Sequence, residues 1–135
     1  MNIYNESGHK YIPKKMIQLA VLLTAEKELK KDCDISIVIC NDDYIHDLNI
    51  RYLQHDYPTD VITFEIDDEP LTGEIYISAD TAKLQAEEYK VSFRDELMRL
   101  AVHGTLHLAG HLDNTDELRK RMSELEDKYL KEIKA

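Results

Sequence analysis

The hydrophobic pattern changes period several times along the chain, and each change marks an element. Ile3 and Tyr4 predict a short first strand. After Pro13, placed where a helix can begin, MIQLAVLLTAEKEL carries apolar residues at helical spacing and predicts a well-buried first helix. Residues 34–40, DISIVIC, alternate and are rich in isoleucine and valine, which predicts a strand. Asn41 caps a helix from Asp42 to about Tyr52, and the polar HDYPTD that follows is a loop. VITFEI and EIYIS, separated by the turn-like DDEPLTG, predict a hairpin.

Ser78 caps a helix reaching about Tyr89. Ser92, with Asp95 and Glu96 in the next turn, opens a helix through FRDELMRLAVHGTLHLA that stops at Gly110. Thr115, followed by Asp116 and Glu117, starts a last amphipathic helix running nearly to Ala135. No repeat or linker interrupts this order. The expectation is one α+β domain over residues 1–135, a small mixed β-sheet packed against helices.

Composition narrows the class without changing this outline. With 135 residues, 43% hydrophobic and 33% charged, the chain is long enough to bury a core and has the balance of a soluble globular protein. MNIYNESGHKYIPKK has no apolar signal-peptide core and no later apolar run is long enough to cross a bilayer, so the expectation is a cytoplasmic protein with no membrane partner. Cys33 and Cys40 match neither a redox pair nor a zinc knuckle and read as reduced, structural residues.

A net charge of −10 excludes broad electrostatic adhesion to nucleic acid or anionic membrane. A nucleic-acid substrate would need local cations. Lys10, Lys14, Lys15, Lys83, Lys90, Arg94 and Arg99 are the candidates, with solvated helix faces as the plainer reading of each. The eight tyrosines lack interleaved basic clusters and read as core or rim residues rather than a base-stacking platform. His9 and His46 are isolated and read as surface residues.

The chemistry sits in the penultimate helix. His103 and His107 are four residues apart, which on a helix sets their Cβ atoms about 6 Å apart on one face and suits two imidazoles on one metal ion. The bland alternative is a pair of hydrogen-bonded structural histidines. A third ligand would come from His111 or Asp113. On a straight helix His111 would lie about 12 Å along the axis from His103, too far to share an ion, so the helix must break. Gly110 supplies the break through a left-handed turn. HGTLH has Gly104 where HExxH metalloproteases carry their catalytic glutamate, which disfavours a standard zinc peptidase. A glycine inside a helix costs about 1 kcal/mol relative to alanine, so Gly104 points to a close approach by backbone or substrate.

HGTLHLAGHLD resembles the signature of the YbeY family of metal-dependent endoribonucleases, and LNIRYLQHDYPTDVITF and GEIYIS are similar to two further segments of that family. The resemblance implies a zincin-like α+β fold with the metal site at the end of the penultimate helix. It also implies a zinc-dependent, single-strand-specific endoribonuclease acting in 16S rRNA 3′-end maturation and ribosome quality control. Its substrate would be single-stranded rRNA and its partners the small ribosomal subunit or ribosomal proteins. His103 and His107 carry over as ligands. The family's usual third histidine falls at Asp113, whereas His111 stands where tyrosine is common, so Asp113 is favoured as third ligand with His111 as the alternative. A carboxylate ligand makes Mn²⁺ or Fe²⁺ more acceptable beside Zn²⁺. An arginine common in the family's substrate loop is replaced by Leu53, with Arg51 close by.

On an RNA substrate, Asn49, Arg51, His55 and Thr59 are candidates for phosphate or ribose contacts, and Asp60 or Glu74 for proton acceptor. Two other functions fit the same residues: a metal-dependent hydrolase of peptides or esters, and a non-catalytic ribosome-associated factor whose acidic surface meets basic ribosomal proteins.

Overall fold

The computed structural model describes residues 1–29 and 31–134. Four strands, β1 (Asn2–Asn5), β2 (Cys33–Cys40), β3 (Val61–Asp68) and β4 (Leu71–Ser78), form one sheet in the order β1-β2-β4-β3. β1, β2 and β4 run parallel, and β3 pairs antiparallel with β4, so the sheet is mixed as expected. The helices are α1 (Lys14–Glu28), α2 (Asp42–Leu53), α3 (Ala79–Tyr89), α4 (Phe93–Leu108) and α5 (Asp116–Lys134). The end of the expected last helix, Ala135, lies outside the described residues.

Period-two alternation sorts the two sheet faces. Ile35, Ile37 and Ile39 of β2 and Leu71, Ile75 and Ile77 of β4 share one face and pack with Val21 of α1, Ala82 of α3 and Leu97, Leu100 and Leu108 of α4. Each fully buried isoleucine contributes about 1.5–3 kcal/mol to this core. The opposite face meets α2, where Ile45 packs with Ile62 and Cys40. Helix α5 lies on the outer side of α4 and α1, with Met122, Leu125 and Tyr129 against Ala20, Val102 and Leu106.

Two glycines set how closely α4 lies on the sheet. A Cβ at Gly104 would come within 2.7 Å of Ile75 Cγ2, and one at Gly73 within 2.6 Å of Leu108 Cδ1. The close approach anticipated at Gly104 is therefore that of the helix to β4. It holds the histidine-bearing helix in fixed register on the sheet.

The hairpin differs from its expected form. The segment 67–73 is not all turn: β3 runs on to Asp68 and β4 restarts at Leu71, leaving Glu69 and Pro70 between them. Leu71 is buried and pairs with Cys33 of β2 as well as with Asp68, so partners on both sides hold it as strand. Between Glu65 and Asp67 the register shifts by one residue, and Ile66 is turned out to solvent. The two cysteines are free thiols, and burial with nearby Asp42 and Asp80 pushes Cys40 up to about 12. Among the described residues no helix is long and apolar enough to cross a membrane.

Candidate metal centre

Local signals start and stop α4. The Ser92 hydroxyl accepts the Asp95 N–H at 3.0 Å, and the helix ends in a turn in which Gly110 takes φ +97°. There the Gly110 N–H donates to the His107 carbonyl and the His111 N–H to the Leu106 carbonyl, both at 3.0 Å, the paired bonds of a Schellman stop. The chain then doubles back, as the glycine required, and delivers Asp113 to the histidine face. Asp113 Oδ2 lies 3.4 Å from His103 Nε2 and 3.3 Å from His107 Nε2, and the two Nε2 atoms face each other at 3.0 Å.

The far sides of both rings are committed. His103 Nδ1 donates to Glu126 Oε2 at 2.7 Å, and His107 Nδ1 donates to the His111 carbonyl at 2.9 Å. A neutral imidazole carries one ring proton, so a proton on Nδ1 leaves a lone pair on Nε2. With both rings neutral and their protons on Nδ1, two Nε2 lone pairs and a carboxylate oxygen converge within 4.8 Å of one another. That donor set fits a divalent cation, and His103, His107 and Asp113 are the residues that would hold it. The ring of His111 points elsewhere: its Nε2 donates to Glu28 Oε1 at 2.6 Å.

Behind the site lies a carboxylate-rich layer. Glu126 is 3% exposed and its second oxygen accepts Arg99 Nη1 at 2.8 Å. Arg99 also donates through Nε and Nη2 to Glu96, which is 1% exposed. Arg99 therefore drops out of the candidate RNA contacts, because two buried carboxylates already occupy its guanidinium. Burial disfavours charge on His103, but hydrogen-bonded Glu126 outweighs it with help from Asp113 and Asp60, and the ring titrates above the ordinary histidine value. Burial works against the charge on Glu28 too, yet bonds from Tyr129 and His111 prevail and hold its carboxyl below the usual range.

The cluster opens on a cleft of about 580 Å³. Of the expected substrate and acid-base residues, Asn49, His55, Thr59 and Asp60 line it. Asn49 is buried and its amide donates to the Tyr57 carbonyl at 2.8 Å, which ties α2 to the loop. Arg51 is not in the lining; it pairs with Asp47 at 3.1 Å one turn back on α2, while Leu53 faces the cleft. Glu74 is absent as well. Its neighbours Gly73 and Ile75 face α4, so alternation turns Glu74 to the other side of the sheet, where it accepts the Tyr76 hydroxyl at 3.3 Å. Lys10, Lys14, Lys15, Lys83, Lys90 and Arg94 are exposed, and among the described residues no lysine or arginine lines the cleft.

Several contributors went unanticipated. Tyr57 and Glu65 also line the cleft, and the rings of His55 and Tyr57 stack at 5.3 Å with an 11° interplanar angle. Glu28, Glu96 and Glu126 orient the site from behind. A carboxylate in an apolar register, as in Met122, Leu125, Glu126 and Tyr129 of α5, is the sequence signal that could have revealed one of them.

A family model described as endoribonuclease YbeY matches residues 2–134. The chain belongs to the endoribonuclease YbeY family. Its similarity to the endoribonuclease YbeY of Chloroherpeton thalassium is 37% identity over 129 residues, covering 95% of this chain and 92% of that relative. The YbeY of Chlorobium phaeobacteroides is 38% identical over 132 residues, covering 97% of this chain and 92% of the relative. Among solved structures, the solution structure of a Thermotoga maritima protein superposes with a TM-score of 0.68 at 30% identity, covering 97% of this chain and 88% of that one. Both curated YbeY relatives are named as endoribonucleases, which places the chain among hydrolases of the nuclease class.

Proposed function

We propose that this YbeY-family protein is a metal-dependent, single-strand-specific endoribonuclease whose cation, zinc by preference with Mn²⁺ or Fe²⁺ admitted by the carboxylate, is held by His103, His107 and Asp113. The observation that carries the reading is the convergence of two imidazole lone pairs and a carboxylate oxygen on the wall of an open cleft. When bound, the cation supplies stabilisation for charge that builds on the phosphoryl oxygens of the scissile diester.

The chain's own groups supply the rest. Of the two carboxylates expected as proton acceptors, Asp60 alone lies at the cleft, and it fits that role. Its Oδ1 takes the Val61 N–H at 2.8 Å, while Oδ2 receives a longer bond from Gln85 at 3.2 Å and keeps acceptor capacity. Asn49, His55 and Thr59 offer neutral hydrogen-bonding groups to ribose and phosphate. Among the described residues no lysine or arginine lines the cleft, so these residues form no cationic wall to track a duplex backbone, which favours an unpaired strand whose bases can be splayed.

Family membership supports a place in 16S rRNA 3′-end maturation and ribosome quality control, in the cytoplasm and in contact with the small subunit. The net charge of −10 suits basic ribosomal proteins as partners. Incubation of the purified protein with single-stranded RNA carrying a 16S 3′ precursor end tests the reading. Cleavage should disappear with a chelator and in His107→Ala; cleavage that survives both overturns it. Activity on casein or chromogenic esters without action on RNA would favour a hydrolase of another substrate class.

A further inference from the structure

Helix α5 is not a ligand-bearing element, yet one of its faces reaches both histidines. Glu126 accepts the His103 Nδ1 proton directly. Three residues on, the Tyr129 hydroxyl donates to Glu28, which also accepts His111 Nε2–H, and the His111 carbonyl in turn accepts His107 Nδ1–H. A carboxylate that is 3% exposed is costly unless paired, and Glu126 has its counter-charge in Arg99.

We propose that Glu126, clamped by Arg99, is a positioning residue that locks His103 in the Nδ1–H tautomer and so keeps its Nε2 lone pair turned toward His107 and Asp113. The inference rests on the reading of that cluster as a cation site. Its force comes from the donor inventory. Arginine has donors and no acceptor, so whatever atom replaces Glu126 Oε1 beside Arg99 Nη1 must be an oxygen. A glutamine at this position therefore turns its carbonyl to Arg99 and its NH₂ to His103. The amide then donates to Nδ1, and the ring proton moves to Nε2, into the space where the three ligand atoms converge.

This separates a positioning role from a merely structural one. Glu126→Gln keeps shape and buried volume but reverses the tautomer. Glu126→Ala removes both bonds and opens a gap, but leaves His103 free to take the tautomer a cation selects. If Glu126 only packs and pairs charge, alanine is the worse change for stability and for metal alike.

The experiment measures zinc affinity of the full chain by competition with a chromophoric chelator, thermal midpoint, and ring ¹⁵N shifts of His103 in the metal-free protein. Glu126→Gln should melt nearer to the wild-type protein than Glu126→Ala does, yet bind zinc less tightly than Glu126→Ala, with a loss of about 10–100-fold against wild type. At a pH above its titration, where the ring is neutral, His103 should be Nδ1–H in the wild-type protein and Nε2–H in Glu126→Gln. Zinc affinities that follow the order of thermal stability, or a glutamine variant that binds as tightly as wild type, overturn the proposal. If the wild-type protein takes up no zinc, the cation reading fails and the ring shifts alone decide: the stated pair of tautomers upholds the positioning role, and any other pair refutes it.

Discussion

The Nδ1–H of His107 donates to the backbone carbonyl of His111 at 2.9 Å, while the ring of His111 turns to Glu28. The third histidine of HGTLHLAGH therefore meets the site through its main chain, and Asp113 is the residue whose carboxylate oxygen stands with the two imidazoles where a cation could be held. Replacing Asp113 with alanine should weaken zinc binding by more than the roughly 10–100-fold typical of groups behind the ligands. His111→Ala keeps the carbonyl and loses only a part-exposed hydrogen bond to Glu28, so it should retain zinc and lose about 1 kcal/mol of stability. Chelator competition and thermal melts of the two variants check this. A His111→Ala protein that loses zinc while Asp113→Ala keeps it would reverse the ligand assignment.

Gly104 tests how tightly the histidine helix is seated. Glycine to alanine inside a helix is ordinarily worth about 1 kcal/mol in favour of alanine. Here the new methyl would stand 2.7 Å from Ile75 Cγ2, and overpacking of that kind costs about 1–3 kcal/mol, so the net effect should be destabilising. In an Ile75→Ala background the same methyl fills part of the vacated space. Denaturant titrations of the four proteins in this cycle should show Gly104→Ala to be less harmful, or favourable, when Ile75 is absent. Equal effects in both backgrounds would mean that α4 shifts to make room.

How much of this was legible in the sequence depended on how local the signal was. The strands and helices followed from alternation and caps, and the chain reversal at Gly110 followed from one residue's tolerance of positive φ. Asp113 was legible because its spacing from His103 survives in the motif. Arg99 was misread because its partner Glu126 is 27 residues further on, and only packing of α5 on α4 joins them. Glu74 was misplaced for a related reason. Alternation separates it from Gly73 and Ile75, but which face receives the histidine helix is a tertiary fact. Arg51 was already on a different face of α2 from Leu53, and its pairing with Asp47 settles where it points.

Glu28 carries a pH dependence with a definite sign. Its folded-state pKa lies below the ordinary glutamate value of 4.5, so the stability it contributes is present above that value and lost as pH falls through the folded pKa. Glu28→Gln should therefore be less stable than the wild-type protein at neutral pH, with the gap closing in the acid range below 4.5. The comparison is best made on metal-free protein, by denaturant midpoints at a series of pH values. A gap that stays constant down through that range would mean that charge on Glu28 is not what ties the α1 terminus to the His111 loop.

Salt dependence of RNA binding distinguishes a local grip from a broad electrostatic one. Each phosphate neutralised by a protein cation contributes about −0.7 to the slope of log Kobs against log salt for a single strand. Among the described residues no lysine or arginine lines the cleft, and the chain as a whole is at −10, so few such neutralisations are available. Binding of a short single-stranded RNA to the metal-loaded protein with Asp60→Asn in place, to prevent turnover, should show a slope no steeper than about −1.4, equivalent to two phosphates. Fluorescence anisotropy over a salt series reads it directly. A slope several times steeper would require the exposed lysines outside the cleft to track the strand, and would move the recognition surface onto the outer helices.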